Sequence, residues 1–245
     1  MNHKISTPIW ALYWLMIVVI AFCIGCADTA NEEKQTAEAE QHRERGESLR
    51  ADGDYVGAIE AYSAALRLDP RMGYAFFGRG LAHYFRGDLA KAVEDLTQCI
   101  QIDPTLTPAI QQRGWVNYKL GQFEDAIADF ERAIHVDPDD PDSYFYLARV
   151  YACASSSVTR DGAKAVEWAQ KGLEISDANH WSYQSDIAAA YAEVGDFRQA
   201  VRHQTAALSM APPGDARDRC QKELDQYKKE KPWRDSSVDR EWPSD

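Results

Sequence analysis

The stretch from Gly80 to Pro104, GLAHYFRGDLAKAVEDLTQCIQIDP, contains two short helical patterns joined by Gly87-Asp88 and closed by Asp-Pro. The same pattern occurs once upstream and once downstream, with its closing proline at positions 70, 104 and 138, a period of 34 residues. Four small residues precede each proline at constant distances: Gly46, Gly53, Ala58 and Ala65; Gly80, Gly87, Ala92 and Cys99; Gly114, Gly121, Ala126 and Ala133. A fixed period of this length predicts a stack of similar helical repeats.

Helix packing explains why small residues recur at these positions. Two helices approach to about 8–10 Å between their axes only where small side chains face each other. The first and the last two small residues of each repeat are therefore predicted to lie where helices cross. The second, always a glycine, is predicted to end the first helix, because glycine adopts the left-handed cap conformation at little cost. The proline ends the repeat, since it cannot continue a helix.

The spacing of Gly80, Ala92, Leu96, Cys99 and Pro104 resembles the tetratricopeptide repeat, and so do the copies before and after it. The resemblance covers roughly residues 39–214. It implies an all-α fold, a right-handed α-α superhelix of about five helix-turn-helix repeats that a C-terminal helix caps. One departure is an arginine before each small glycine, where the family prefers leucine; these are Arg45, Arg79 and Arg113.

The domain organisation follows from the period. We predict repeats at about 39–72, 73–106, 107–140, 141–180 and 181–214, a capping helix at 215–230 and a loose polar tail at 231–245. The fourth repeat departs from the period because a Ser-rich insertion, CASSSVTRD at 153–161, separates its helices. The insertion is either a tolerated loop or a loop that contacts a partner. A similar insertion is found in planctomycete-type repeat proteins, which this part of the chain resembles weakly.

The N-terminal segment predicts export. Ile9 to Ala27 carry no charge and follow His3 and Lys4, as in a secretory signal. Ile24-Gly25-Cys26 resembles a bacterial lipobox, in which Cys26 would be lipidated. As a helix the apolar run would span about 28 Å, enough for an uncleaved membrane anchor.

Three alternatives for residues 1–27 therefore stay open: a lipoprotein signal, an uncleaved membrane helix and a cleaved signal. Each would place the repeats outside the cytoplasm, at a bacterial cell envelope. Residues 28–38 lack bulky apolar side chains and are predicted to be a flexible linker.

The composition excludes several functions. Lys and Arg total 27 against 39 Asp and Glu, and the net charge of −12 disfavours nucleic acid as a partner. Nucleophile, phosphate-loop and HExxH motifs are missing from the sequence, so we predict no enzymatic activity, no cofactor, no metal and no small-molecule substrate. The acidic turn at 137–142 could hold calcium, but its prolines and the repeat junction explain it more simply. Cys99 is predicted to be a core residue, and pairing of Cys153 with Cys220 is left open.

The remaining candidate is a binding surface. The resemblance implies that the first helices of successive repeats line a concave groove for a peptide. The candidate groove residues are Arg43, Glu47, Phe77, Leu81, Tyr84, Gln111, Trp115, Tyr118, Phe145 and Arg149. For each aromatic ring the alternative is packing between neighbouring repeats.

Chaperone-binding relatives hold a terminal carboxylate with lysine, asparagine and arginine. The corresponding positions here are Arg43, Glu47, Gln111 and Trp115, so that clamp is not predicted. The leading hypothesis is a non-catalytic scaffold for a protein or peptide partner, with the membrane reached through the N-terminal segment. The alternative is a structural or assembly factor that acts by self-association of the repeat array.

Overall fold

The structure is a computed structural model that describes residues 33–176 and 179–235. Every element of regular secondary structure within those residues is an α-helix. Helix α1 covers 33–51, and the others are α2 (Tyr55–Leu68), α3 (Gly73–Phe85), α4 (Leu89–Ile102), α5 (Thr107–Lys119), α6 (Phe123–Val136), α7 (Pro141–Cys153), α8 (Gly162–Ile175), α9 (Trp181–Glu193), α10 (Phe197–Met210) and α11 (Asp215–Tyr227). The predicted all-α class is confirmed.

The chain divides into two compact units, whose described residues are 33–79 (unit 1) and 80–235 (unit 2). In unit 1 the ring of Tyr62 is almost fully buried. It lies against Gly46 of α1, where an added methyl carbon would come within 2.8 Å of the ring. The predicted small residue therefore makes room for a large one on the neighbouring helix.

In unit 2 each helix from α4 to α11 packs against the next one in the chain. Helix α7 also contacts α5 and α9, so these odd-numbered helices form one layer. We use the term inner face for the surface that Tyr118 on α5, Arg149 on α7, and Ser185 and Asp186 on α9 form within this layer. Tyr118, Arg149 and Ser185 hydrogen-bond to α11 or to the residues after it. Asp186 accepts a hydrogen bond from Arg149.

The turns between paired helices follow the predicted glycine pattern. Gly87 has φ +84°, its N–H donates to the carbonyl of Tyr84 (2.9 Å), and the N–H of Asp88 donates to that of His83 (2.9 Å). Gly121 ends α5 in the same way, with φ +77°. These paired bonds satisfy carbonyl groups that a helix end otherwise leaves without partners. The predicted role of glycine as the end of the first helix is confirmed.

The insertion of the fourth repeat forms a loop between α7 and α8 that is closed at its base. The Arg160 guanidinium donates to the carbonyls of Ala154 (2.8 Å) and Ser155 (3.1 Å). The Asp161 N–H donates to the carbonyl of Tyr151 (2.9 Å), and its carboxylate caps α8. The tip is exposed, and Val158 is 91% accessible. The extra residues therefore leave the packing of α7 on α8 intact.

Two expectations about the chain's flanking segments need correction. Residues 33–38, predicted as part of a flexible linker, are the first described turns of α1, and the Gln35 amide donates to the carbonyl of Leu68 (3.0 Å). Residues 231–235, predicted as part of a loose tail, contact unit 2 through Trp233 and Asp235. The predictions for residues 1–27, including Cys26, lie outside the described residues. Across 33–176 and 179–235, no helix combines the length and the apolar character needed to cross a bilayer.

Candidate functional site

The candidate groove residues differ widely in exposure. Arg43, Phe77 and Leu81 are half-buried, and Glu47 is exposed. The other six are at least nine-tenths buried: Tyr84, Gln111, Trp115, Tyr118, Phe145 and Arg149. The buried ones must therefore be explained first by their contacts within the chain.

Aromatic side chains of successive first helices pack on each other. The Trp115 indole N–H donates to the Tyr84 hydroxyl (3.1 Å), which joins α5 to α3. The Trp115 ring stacks on Tyr118 at 5.8 Å and lies 5.7 Å from the ring of Tyr146 on α7. These rings thus connect neighbouring repeats, as in the alternative that the sequence left open.

Phe145 and Gln111 lie at repeat junctions rather than on a surface. Phe145 is fully buried, stacks on Tyr183 at 4.3 Å, and fills the space beside Gly172 of α8. The Gln111 amide donates to the Asp140 carboxylate and to the Ser143 hydroxyl (2.8 Å). Phe145 is therefore a core residue, which corrects its assignment to the groove, because its ring has no accessible surface for a partner.

The acidic turn at 137–142 serves the start of α7. The Asp140 carboxylate accepts the N–H of Asp142 (3.3 Å) as a helix cap, and burial raises the pKa of Asp140. Asp142 accepts the hydroxyl of Tyr183. In the part of the chain that the structure describes, no three His, Cys, Asp or Glu side chains are grouped so as to hold a metal ion. The thiols of Cys99, Cys153 and Cys220 are buried, and the core position of Cys99 is confirmed.

Arg149 is the centre of the inner face and is 2% exposed. Its guanidinium donates to Asp186 on α9 (2.7 Å) and to Glu223 on α11 (2.8 Å). A third carboxylate, that of Asp235, lies 3.4 Å from its Nε atom. One arginine therefore ties together α7, α9, α11 and the segment after α11.

The electrostatics of this cluster keep its groups charged. Burial by itself would lower the pKa of Arg149, but Glu223 and Asp186 hold it well above its ordinary value. Burial by itself would raise the pKa of Glu223, but Arg149 and Arg219 lower it to about 2. Glu223 also accepts the Ser185 hydroxyl (2.6 Å) and the Gln204 amide (3.0 Å). A buried carboxylate with this many donors stays ionised at neutral pH.

Residues 231–235 (the returning segment) lie on the inner face without regular secondary structure. Tyr118 donates its hydroxyl to the Asp235 carboxylate (2.9 Å), and the Asp235 N–H donates to the carbonyl of Cys153 (3.2 Å). Trp233 packs against the cluster of Ala188, Ala192, Ala200 and Tyr227. Between these two contacts, Arg234 pairs with Glu193 (2.7 Å). The segment is thus held by one ring, one carboxylate, one ion pair and one backbone bond.

A small opening remains beside Arg149. Its walls are the rings of Trp115, Tyr146 and Trp181 and the side chain of Arg219, and Arg149 and Asp186 line it as well. Aromatic and arginine side chains around a recess are typical of surfaces that bind other polypeptides.

The arginine that departs from the family pattern has a structural role. Arg113 donates to both carboxylate oxygens of Asp129 on α6 (2.6 and 3.0 Å) and to the Thr97 hydroxyl on α4 (3.2 Å). Arg79 donates to the Ser63 hydroxyl in unit 1 (3.0 Å), and its guanidinium lies 5.5 Å from the ring centre of Phe76. These arginines reach from the first helix of a repeat to the second helix of the preceding one.

The sequence did not single out four important residues, which are Asp186 of the inner face, Glu223 of α11, and Trp233 and Asp235 of the returning segment. Glu223 carries a signal that could have been used, because it lies three residues after Cys220 and four before Tyr227 on the apolar stripe of α11. A carboxylate within a buried stripe requires a cation or several donors. For Asp235 we find no signal short of the folded structure.

Comparisons with known proteins agree with the paired helices of the structure. Residues 43–106 match a family model described as tetratricopeptide repeat, and residues 114–152 match one described as TPR repeat. No curated protein matches the chain significantly. These two stretches are therefore similar to tetratricopeptide repeats, as the resemblance predicted.

Solved structures show the same fold. A MamA protein is 26% identical, with 71% of this chain and 91% of that one covered and a TM-score of 0.59. TTC0263, a TPR protein of Thermus thermophilus, is 20% identical, with 75% and 97% covered and a TM-score of 0.60. YrrB, described as a TPR protein with an unusual peptide-binding site, is 18% identical, with 80% and 97% covered and a TM-score of 0.56. The predicted fold class is confirmed.

Proposed function

We propose that this repeat array is a non-catalytic scaffold that binds a partner protein or peptide and acts at a bacterial cell envelope. The observation that carries the proposal is the returning segment, because it is a piece of polypeptide without regular secondary structure that side chains of α5, α7 and α9 hold in place. The inner face therefore has the chemistry to hold such a segment. Its ring contacts, charged hydrogen bonds and one backbone bond are those by which proteins bind peptides.

The reactive groups of unit 2 support binding rather than catalysis. Burial raises the pKa of the Cys220 thiol to about 12, so the nucleophilic thiolate is not formed at neutral pH. Burial also lowers the pKa of His203, which hydrogen-bonds to Gln184 (2.7 Å). Each carboxylate around Arg149 is engaged by at least one cation or hydroxyl.

Unit 1 offers a second surface for a partner. Tyr74 is 64% exposed, and Phe77, one turn further along α3, is half-buried. Arg79 lies beside Phe76 on the same helix. Exposed aromatic side chains next to an arginine are enriched where proteins meet, and they explain why Phe77 stays a candidate residue.

The envelope part of the proposal is motivated by the uncharged run and the lipobox-like Cys26. Mass spectrometry of the mature N-terminus tests it, with Cys26→Ser as the matched variant. We expect a lipid-bearing N-terminal cysteine in the wild type and none in the variant. A mature chain that retains Met1 would indicate an uncleaved segment, and an unlipidated chain cut elsewhere would contradict lipidation.

Site-specific photo-crosslinking tests the scaffold function. A crosslinking amino acid at position 77 should capture a defined partner in cells, whereas the same group at position 60 should not. Glu60 is exposed on α2, the second helix of its repeat, and so serves as the matched control. Equal capture from both positions, or no capture from position 77, would contradict the proposed surface.

A further inference from the structure

We propose that the returning segment is an internal ligand of the inner face, and that another protein binds there by displacing it with a segment of the same chemistry. That chemistry is an extended stretch in which a tryptophan, a basic residue and an acidic residue follow one another, as Trp233, Arg234 and Asp235 do here. The inference rests on the proposed scaffold function and adds to it a ligand class and a closed state.

The turn after α11 shows why the segment runs back over the array. The N–H of Glu230 donates to the carbonyl of Tyr227 (3.0 Å), and that of Lys231 donates to Gln226 (3.1 Å). These are the bonds that end the first helix of each regular repeat. Here Glu230, with φ +54°, occupies the left-handed position that Gly87 and Gly121 occupy elsewhere.

After the same turn, the regular repeats begin a second helix, and α11 does not. Asp54 and Asp196 follow their turn glycines and cap the next helix through their carboxylates. The equivalent residue here is Lys231, which has no acceptor for the helix N–H groups, and Pro232 restricts it to extended conformations. The chain therefore stays extended where a second helix would start, and its side chains meet the inner face.

The first anchor of the segment is Trp233. Its ring packs on the cluster of three alanines of α9 and α10 and Tyr227 of α11, against which Tyr191, Phe197 and Val201 also pack. The ring is only half-buried, and its indole N–H donates to the Asp235 carboxylate within the segment (2.8 Å). The ring and the carboxylate thus bind as one preformed element.

The second anchor is Asp235, which is 7% exposed. Tyr118 donates to one of its oxygens, and the Arg149 guanidinium lies 3.4 Å from both. Arg234 contributes a pair with Glu193 on α9 and remains 38% exposed. The alternation of basic and acidic side chains suits a protein with a net charge of −12, since the ligand need not be acidic overall.

The segment can leave without stranding a buried charge. Arg149 keeps its short hydrogen bonds to Asp186 and Glu223 when Asp235 departs. Three carboxylates surround this one arginine, with Arg219 as a second cation on Glu223, so the cluster is more nearly neutral without Asp235. Glu223 belongs to the permanent structure, whereas Asp235 occupies a position that a carboxylate of another chain can take.

Peptide binding to the full chain tests the inference. The probe is a fluorescent peptide of residues 228–236, KKEKPWRDS, and the opened variant carries Trp233→Ala and Asp235→Ala. A short tether gives the internal segment an effective concentration of about 1 mM, which a free peptide must exceed in the wild type. We expect the opened variant to bind the probe at least about tenfold more tightly than the wild type.

Lys231→Ala is the matched control, because Lys231 is exposed and contributes only its backbone to the turn. It should bind the probe as weakly as the wild type does. Adding Tyr118→Phe to the opened variant should weaken binding severalfold, since the hydroxyl donor to the probe's aspartate is removed. Far-UV circular dichroism verifies that each variant keeps its helices, and the single variant Asp235→Ala repeats the test with a smaller change.

Equal affinity of the wild type and the opened variant would overturn the inference, and so would an opened, folded variant that does not bind. Light scattering distinguishes a second occupant, because a dimer that exchanges the segment between copies would overturn the internal assignment, whereas a monomer supports it. If these tests fail while crosslinking from position 77 succeeds, the scaffold function stands without the internal ligand. If binding succeeds and crosslinking fails, the inner face of unit 2 binds peptides and the surface of unit 1 is excluded.

Discussion

Arg43 and Arg149 are both arginines on the first helix of a repeat, and both were predicted to line the same groove. Arg43 of unit 1 pairs with Glu40 (2.6 Å) and Glu47 (2.7 Å), three and four residues away on its own helix, and these carboxylates are about half exposed. Arg149 of unit 2 pairs with Asp186 and Glu223, 37 and 74 residues away, and all three are buried.

The difference shows what position in a repeat does and does not determine. A helical period places both arginines on the same side of their helices, but their energetic roles depend on what covers that side. Exposed pairs within one helix contribute little, because water and salt screen them. A buried arginine instead requires its carboxylates, since each charge left alone would be costly.

The largest contrast should appear on removing each arginine. Arg149→Met should lower the free energy of unfolding by about 3–5 kcal/mol, because Asp186 and Glu223 lose their main cation inside the protein. Arg43→Met should lower it by at most about 1 kcal/mol. Urea unfolding followed by circular dichroism measures both. Similar losses in the two variants would refute the distinction between a solvated and a buried arginine.

The fall of the free energy of unfolding at low pH should depend on Glu223. Its pKa is about 2 in the folded protein against an ordinary value of 4.5, so it contributes stability above pH 4.5 that is lost as the pH falls toward 2. The shift corresponds to about 3 kcal/mol. We therefore expect the stability difference between the wild type and Glu223→Gln to shrink over this range.

The matched variant for this test is Glu40→Gln. A hydrogen bond from Arg43 also lowers the pKa of Glu40, but its side chain is 48% exposed. Its pH dependence should therefore be much smaller. If the free energy of unfolding fell equally with decreasing pH in the wild type and in Glu223→Gln, the charged state assigned to Glu223 would be contradicted.

Removing the carboxylate of the returning segment should have a moderate effect. Asp235→Ala leaves the Tyr118 hydroxyl without its acceptor, which should lower stability by about 1–2 kcal/mol. Hydrogen exchange of the residue 235 amide, which donates to Cys153, should become faster. Glu40→Ala should change stability by less than about 1 kcal/mol. Unchanged exchange at residue 235 would show that the carboxylate does not hold the segment.

The smallest expected effect concerns the turn that precedes the segment. Glu230→Gly places in the left-handed position the residue type that the regular turns use there, and should stabilise the turn by up to about 1 kcal/mol. Slower hydrogen exchange of the Lys231 amide would report it. Glu230→Val should act in the opposite direction, and faster exchange with glycine than with valine would exclude strain at this residue.

The repeat pattern accounts for most of the fold. The alignment of Gly114 with Phe130, where an added methyl carbon would lie 2.9 Å from the ring, is a packing requirement that the 34-residue period encodes directly. The Arg43 pairs are also readable, because helical neighbours at three and four residues are visible in the sequence.

The inner face was less predictable, because its contacts join residues far apart in the chain. Nothing local relates Arg149 to Asp235, which is 86 residues away. The helical period also assigned Phe145 to the groove. In the structure its ring instead stacks on Tyr183 and fills the space beside Gly172 in the core. The polar composition of 231–235 suggested a loose tail, but two anchors suffice to hold so short a segment. The N-terminal anchor and the envelope location remain predictions.

The large sequence separation between Arg149 and Asp235 has a consequence during synthesis of the chain. At ribosomal rates of about 5–20 residues per second, the 86 residues that separate it from Asp235 take roughly 4–17 seconds to be made. Asp186 and Glu223, the other two partners of Arg149, are made earlier in that interval, so that at its end only the returning segment is missing from the inner face. A nascent chain therefore passes through a stage in which its binding surface is vacant, before its own last described residues arrive to cover it.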